Sequence, residues 1–549
     1  MNDQLTELYA DLLAGQYDCP DRIVLNAFFR MGHTPGGFRT WWRSLNGNDD
    51  NLEKTHLMRF SSRFTRRVKA YTDKHDIPLV YCRPRERKHE LAEQHLPTDP
   101  HFSGLFLVII SRANGLVWDV RPTKWGGLHL SKNYRFINHI FFHIIDPEWG
   151  HITIRMSSHP PFGAMVILNG HEFVARQAKQ AGLDFQQTSN CFTDIMQPAD
   201  LAQIADTSYA PHTIGQLRQV CNRWLYSACL HFVLSEVERE RSRFAYQYSL
   251  FQMEYSRNLI FKNPSQMEQV FNALIDRSRT HLTLERIKTI FGRKRRPHRK
   301  GRFKGQRVPE ERIFETPEYD LTIFKIHFGS VTLKLYTKGE NVLRAEAVVH
   351  NAKALKSKRS LQHFPTALTE LRTLLIRFLN QLACLDCSFV ADDTLDTIGQ
   401  ATRVGKARVA GIDLNNVRLR TVMHAVIALA PTPRGFSVAE LAAKVRNLLG
   451  WSSDRYLSRH AAYDLKKLRG KLWVTMIGKS RRYEPTSLGL KTMAALLTLR
   501  TKILKPFLAA AQAFPTNSSE QQTDIDIQYG KVQSEMLALL QLLGISFQP

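Results

Sequence analysis

Between Gly104 and Gly170 the apolar rhythm of the chain changes, and that change restricts its fold more than any other feature. GLFLVIISR (104–112), GLVWDVR (115–121), INHIFFHIID (137–146), GHITIRMS (150–157) and AMVILNG (164–170) are alternating or continuous apolar runs broken by Gly, Pro and Asp. Such runs read as strands. HEFVARQAKQAG follows as a helix that stops at Gly182. Residues 101–200 are therefore expected to form an α+β domain with a mostly antiparallel sheet.

The flanking regions follow a different period. Residues 1–100 read as a basic helical region: Leu57, Phe60, Phe64, Val68 and Tyr71 fall at helical spacing, with Arg59, Arg63, Arg66, Arg67 and Lys69 around them. Residues 201–292 read as helical again. From 293 to 312 the chain is a basic linker with nine Lys or Arg between Arg293 and Arg307. Residues 313–400 read as a β-meander plus a helix, punctuated at Gly329-Ser330 and Gly339-Glu340-Asn341. A domain at 416–515 and an amphipathic helix at 525–549 complete the chain. The expectation is a multidomain α+β protein without an internal repeat at fixed period; a length of 549 residues implies roughly three or four domains.

Charge narrows the function. Lys and Arg number 76 against 50 acidic residues, a net charge of +26. Such an excess points to a polyanionic partner, nucleic acid before a membrane surface. No window of eighteen apolar residues occurs, and MNDQLTELYADLLAG is not a signal peptide, so a cytoplasmic protein, nucleoid-associated if DNA-bound, is expected. The seven cysteines are scattered, and CLDC (384–387) has no second pair to complete a zinc site, so they read as small buried hydrophobes.

Residues 417–512 carry the clearest pattern. VRLRTVMHAVIALA is an apolar-faced helix. GFSVAELAAKVRNLLG is a second, with Ser437 as N-cap and Gly450 as stop. SSDRYLSRHAAYDLKKLRGK is a third, hiding Leu457, Ala461 and Leu465 and presenting Arg455, Arg459, His460, Tyr463, Lys466 and Lys467. LWVTMIGKSRRYEPT then forms a hairpin with Lys479, Ser480, Arg481 and Arg482 at its tip. This order resembles a MarR-type winged helix-turn-helix. The resemblance implies a basic helix in the DNA major groove and a basic wing on the backbone or in the minor groove.

Elsewhere, CPDRIVLNAFFRMGHTPGGFRTWWRSL (19–45), residues 137–182, YQYSLFQMEYSRNLIF (246–261) and KLYTKGENVLRAEAVVHN (334–351) resemble a largely uncharacterised family of basic bacterial proteins. That resemblance spans most of the first 400 residues and implies no reaction.

Three further sets of residues invite chemistry. Asp146, Glu148 and Glu172, with His171 as base, have the residue types of a nuclease holding Mg²⁺ or Mn²⁺; turn-forming and strand-end residues around a binding groove are the alternative. Tyr336 and Lys338 share a strand face and suggest a phosphotyrosyl link, against ordinary strand pairing of Arg344 with Glu346. Arg39, Trp41, Trp42 and Arg43 suggest base stacking, against a helix feeding the core. The linker cations Arg293, Lys294, Arg295, Arg296, Arg299, Lys300 and Arg302, with Arg66 and Arg67, suit phosphates. The expected function is nucleic-acid binding, DNA through the winged helix and RNA or structured DNA through the remaining basic surface, in a mobile-element, replication or defence setting. A metal-dependent endonuclease or strand-transferase and a MarR-like transcription regulator are the alternatives. Oligomeric state is not readable from these residues.

Overall fold

The computed structural model is mixed α+β, and one twelve-stranded sheet draws strands from everywhere in residues 13–349. They are β1 (Leu13–Phe29), β2 (Leu79–Tyr81), β3 (Gly104–Pro122), β4 (Leu128–Asp146), β5 (Gly150–Ser157), β6 (Ala164–Asn169), β7 (Tyr246–Phe261), β8 (Lys288–Phe291), β9 (Glu311–Thr316), β10 (Ile323–Phe328), β11 (Val331–Lys338) and β12 (Val342–Val349). The structure describes residues 3–48, 52–83, 86–123, 127–187, 190–207, 209, 212–281, 288–291, 311–316, 323–328, 330–355, 359–386, 392–405, 407–432, 434–504 and scattered positions in 528–538. The basic linker cations Arg293 to Arg302 lie outside the described residues, as does most of 525–549.

The order across the sheet is β2-β3-β4-β5-β6-β1-β7-β12-β11-β10-β9-β8. Its two halves have the same plan. In each, the first strand pairs with the sixth, and the order then runs down to the second. The second and third strands are parallel in both halves, β2 with β3 and β8 with β9, and the remaining neighbours are antiparallel. The halves meet where β1 pairs antiparallel with β7, the arrangement a local two-fold axis produces. Cross-strand rows correspond as well. His143–Thr153–Ile167–Val24 in the first half matches His327–Thr332–Val348–Glu254 in the second. In both rows the histidine Nδ1 is bonded to the threonine hydroxyl, at 3.2 and 2.8 Å. The chain thus contains a repeat of topology. It has no fixed period because the insertions between corresponding strands differ in length.

Two regions predicted as helical supply the central strands of the sheet. β1 lies in the expected helical region 1–100, and β7 in the expected helical region 201–292. Both are covered on both faces over much of their length, so neither shows the alternation that marks a half-exposed strand. The strands of 101–200 and of the meander are consequently one sheet and not two domains.

Helices α1 (Pro35–Asn46) and α2 (Lys54–Lys74) agree with expectation, and their aromatic residues build a core against the sheet. Trp41 and Trp42 are 0% and 2% exposed. Trp41 is in ring contact with Phe38, Phe162 and Phe244, and Phe64 of α2 stacks on Phe142 of β4. Helices α3 (Lys88–Glu93), α4 (Gly170–Gln180), α5 (Pro198–Thr207), α6 (Thr213–Ser227), α7 (Pro264–His281) and α8 (Phe364–Asp386) follow along the chain.

The chain divides into two compact units, one of residues 10–268 and 288–375 and the other of 1–9, 269–287 and 376–549. The second unit holds α9 (Val417–Leu429), α10 (Val438–Leu449), α11 (Ser458–Gly470), the hairpin β13 (Val474–Met476) and β14 (Tyr483–Pro485), and α12 (Ser487–Thr498). Ser437 caps α10 in a capping box with Glu440, and Gly450 ends that helix at φ +64°. Both roles are those predicted from position.

Candidate nucleic-acid interface

Among the described residues, helix α11 carries more Lys and Arg than any other helix of the second unit. Its inner side is Ala461, Asp464, Leu465 and Leu468. Asp464 is fully buried and holds the helix in place: Arg418 of α9 lies 3.1 Å from its carboxylate, and the Tyr456 hydroxyl donates to it at 2.9 Å. With that side anchored, Arg459 and Tyr463 are exposed and Lys466 and Lys467 half-exposed, in steps of three or four residues along one stripe, and Arg455 is exposed in the turn that precedes the helix. The Arg455 guanidinium lies over Trp451 at 4.5 Å, and the Lys467 ammonium over Tyr463 at 5.4 Å. His460 does something else: its Nδ1 accepts from the Leu457 N–H at 3.2 Å and closes the first turn.

At the hairpin, Lys479, Ser480 and Arg481 are exposed. Arg482 is not part of that tip. It donates to the Arg434 carbonyl at 2.8 Å and to Glu440 at 3.0 Å, which ties the hairpin to the start of α10.

Of the nuclease candidates, Asp146 has its carboxylate fully engaged by protein donors. Asp146 is fully buried. Its Oδ1 accepts from the backbone N–H groups of Glu148 and Trp149, both at 2.9 Å, and closes the β4–β5 turn. Its Oδ2 accepts from Arg223 at 2.8 Å and the Trp224 indole at 2.7 Å. Glu148 faces Arg223 at 3.5 Å. Glu172 lies in the first turn of α4 and accepts from Gln187 at 3.1 Å. Among the described residues no three His, Cys, Asp or Glu side chains form a group that could hold a metal ion. The residues fit Mg²⁺ or Mn²⁺ poorly because the Asp146 lone pairs are already taken. Burial holds the His143 and His151 imidazoles down at about 3 and about 4, so both are neutral at pH 7 and offer a phosphate no charge.

His171 belongs to a buried charge centre that the sequence reading missed. Pro20 cannot donate to the ladder, and the β1–β7 register slips between Pro20 and Arg22. Asp21, the extra residue of that bulge, meets the Arg344 guanidinium, the Ser256 hydroxyl at 2.9 Å and His171 Nδ1 at 2.9 Å. Burial alone would raise the Asp21 carboxyl, but Arg344 and His171 outweigh it and hold the group well below the usual carboxylate range. On the adjacent strands Lys334 is 3.0 Å from Glu346, and the Tyr336 hydroxyl donates to Glu346 at 3.0 Å. Burial, then Glu346, pushes the Tyr336 phenol up, the wrong direction for a nucleophile. Lys338 meets Asn190, and burial lowers its ammonium. Arg344 and Glu346 sit on β12 two residues apart and, instead of pairing with each other, hold Asp21 and Lys334.

No family model, curated protein or solved structure matches this chain.

The remaining candidates divide by exposure. Arg43, Arg66 and Arg67 lie on the surface and Arg39 is half-buried, but Trp41 and Trp42 offer no ring face to a base. Glu254, next to the charge centre, has a measurable consequence. Burial and the neighbouring Glu346 raise its carboxyl from 4.5 to about 7. A raised folded pKa means that its stabilising contribution is complete below pH 4.5 and is lost as pH rises through 7. Glu254→Gln should therefore leave the urea midpoint near pH 5 almost unchanged and raise stability at pH 8 by on the order of 2 kcal/mol. An equal effect at both pH values would refute the assignment.

Proposed function

We propose that the chain is a nucleic-acid-binding protein whose residues 417–498 form a winged helix-turn-helix that grips duplex DNA. The observation that carries this reading is the stripe Arg459, Tyr463, Lys466 and Lys467 on the outer side of α11, with Arg455 exposed in the turn before it and Lys479 and Arg481 exposed at the hairpin. A helix of this charge suits the major groove, where Arg reaches guanine edges and Lys reaches phosphates. A short basic hairpin suits the adjoining backbone. The net charge of +26 supports a polyanionic partner for the chain as a whole, and RNA or structured DNA on the remaining basic surface is part of the same proposal. Among the described residues no helix is long and apolar enough to cross a membrane.

A MarR-like regulator would use the same helix and hairpin. A mobile-element, replication or defence role suits a long chain with basic surface outside them. The nuclease or strand-transferase alternative has less to stand on, since Asp146 and Tyr336 are engaged by protein partners.

The test is Arg455→Glu with Arg459→Glu in the full chain, titrated against a fluorescein-labelled 30-base-pair duplex. Affinity at physiological salt should fall at least tenfold, and the slope of log K against log salt should become shallower by about two. Unchanged affinity and slope would sink the reading.

A further inference from the structure

The duplication makes one hairpin conspicuous. In the second half the third and fourth strands, β9 and β10, are six residues each. Their counterparts β3 and β4 are nineteen residues each. β5 pairs with β4 only from His139 to Asp146, and β2 with β3 only from Val108 to Ile110. Beyond those points, from Ser111 to Pro122 and back from Leu128 to Asn138, the two strands have only each other as strand partners among the described residues. The shared plan of the sheet does not need this extension, because the second half is complete without it.

An isolated two-stranded ribbon is marginal in water, so its outer part has to be held. Trp118 is buried there: its indole donates to the Gly32 carbonyl at 2.9 Å and its ring meets Phe38 at 5.2 Å. Asp119 gathers Arg121 and Asn133 at 3.0 Å and Arg135 at 3.4 Å. Against that anchorage, Tyr134 is 76% exposed and Phe136 65% exposed. Large aromatic rings this open, on a strand held in place, mark a binding surface.

The cross-strand register specifies what shares their face. Tyr134 pairs with Leu116, Phe136 with Asn114, Lys132 with Trp118, and Asn138 with Arg112. Direct partners and alternate residues point the same way, so two aromatic rings form a row with Arg112 and Lys132 toward its ends. Both cations are exposed. Residues 111–137 carry five Lys or Arg against a single acidic residue, Asp119, which its own arginines neutralise. Tyr134 and Phe136 are two residues apart, about 7 Å along the strand, a spacing that successive unstacked bases can match.

We propose that the projecting β3–β4 ribbon is a second nucleic-acid site, specific for single strands. Bases stack on Tyr134 and Phe136, and Arg112 and Lys132 take the flanking phosphates. A duplex hides its base faces, so this site and α11 select different forms of nucleic acid. The proposal extends the nucleic-acid reading but rests on different residues in the other unit.

The test uses the full chain with fluorescein-labelled 20-nucleotide oligo-dT, oligo-U and duplex DNA, measured by anisotropy. Tyr134→Ala with Phe136→Ala should weaken single-strand binding at least tenfold and leave duplex binding unchanged. Tyr134→Phe should retain the single-strand affinity, because it keeps the ring. Arg112→Ala with Lys132→Ala should weaken single-strand binding and make its salt slope shallower. Comparing oligo-dT with oligo-U tells DNA from RNA. Single-strand binding by the double alanine variant equal to wild type overturns the ribbon proposal while leaving the α11 reading standing. A change of sedimentation coefficient in that variant, without wild-type affinity for either oligonucleotide, also overturns it and makes the ribbon a protein contact. Loss of duplex binding in Arg455→Glu/Arg459→Glu with single-strand binding intact supports both sites.

Discussion

Arg344→Met should lower the stability of the sheet unit by about 3–5 kcal/mol, the usual consequence of removing one partner from a buried ion pair. Methionine keeps most of the side-chain volume, so the loss reports charge and hydrogen bonding more than packing. Arg344 is fully buried, and besides Asp21 it holds the Asn190 carbonyl at 2.7 Å and the Ser256 hydroxyl at 3.1 Å. Without it, Asp21 is left as a carboxylate with a neutral His171 and one hydroxyl, in a place where burial favours the protonated acid. The deficit has a pH signature. The Asp21 carboxyl is depressed in the folded protein, so the stability it brings is present above its unfolded value of 3.8 and is lost progressively as pH falls below that value toward the depressed folded one. The gap between variant and wild type should thus be widest at neutral pH and narrow toward pH 3. Adding Asp21→Asn to Arg344→Met should restore part of the loss by removing the stranded charge. Urea midpoints for the two single variants and the double variant measure the coupling. A single variant as stable as wild type would show that Arg344 does not hold the centre together.

Asp146→Ala is the second large effect, about 3 kcal/mol of stability, and it separates two accounts of the same residue. In the folded chain one carboxylate takes two backbone N–H groups, a guanidinium and an indole. Deleting it leaves all four donors short of an acceptor and loosens the β4–β5 turn from α6. Asp146→Asn should recover the turn through its amide oxygen but not the contacts to Arg223 and Trp224, since the amide nitrogen is itself a donor. Both variants should bind duplex DNA normally below their melting temperature. A variant that melts with wild type but loses an Mg²⁺-dependent cleavage would return Asp146 to the role of metal ligand.

His143 to Glu172 shows how far the sequence could be read. Three runs of local apolar pattern place strands there, and the structure has strands at every one. The same stretch, read for chemistry, suggests a metal centre from residue types alone. Whether Asp146 has a lone pair to spare depends on Arg223 and Trp224, 77 and 78 residues away, and nothing in its own neighbourhood announces them. The buried centre is less legible still. Pro20 in an apolar run was the available sign of a bulge, but it becomes informative only once that run is known to be a central strand. Trp41 and Trp42 sit beside Arg39 and Arg43 in sequence as a stacking surface would, and it is packing of Trp41 against Phe162 and Phe244 and of Trp42 against Phe60 that closes their faces.

The amino-acid sequence by itself determined what local periodicity and short-range hydrogen bonds can determine. These are the strands from 104 to 169, the helices α1 and α2, the capped α10 with Ser437 and Gly450, the cationic stripe of α11, and a net charge of +26. Tertiary structure alone decided that β1 and β7 are strands, because a strand covered on both faces has no alternation to reveal it. It also decided that Asp18 and Arg257, 239 residues apart, face each other at 2.7 Å, and that two six-stranded halves repeat one plan. Long-range pairing leaves no mark on the residues near it in the chain; it is selected by the summed burial and hydrogen bonding of the whole sheet.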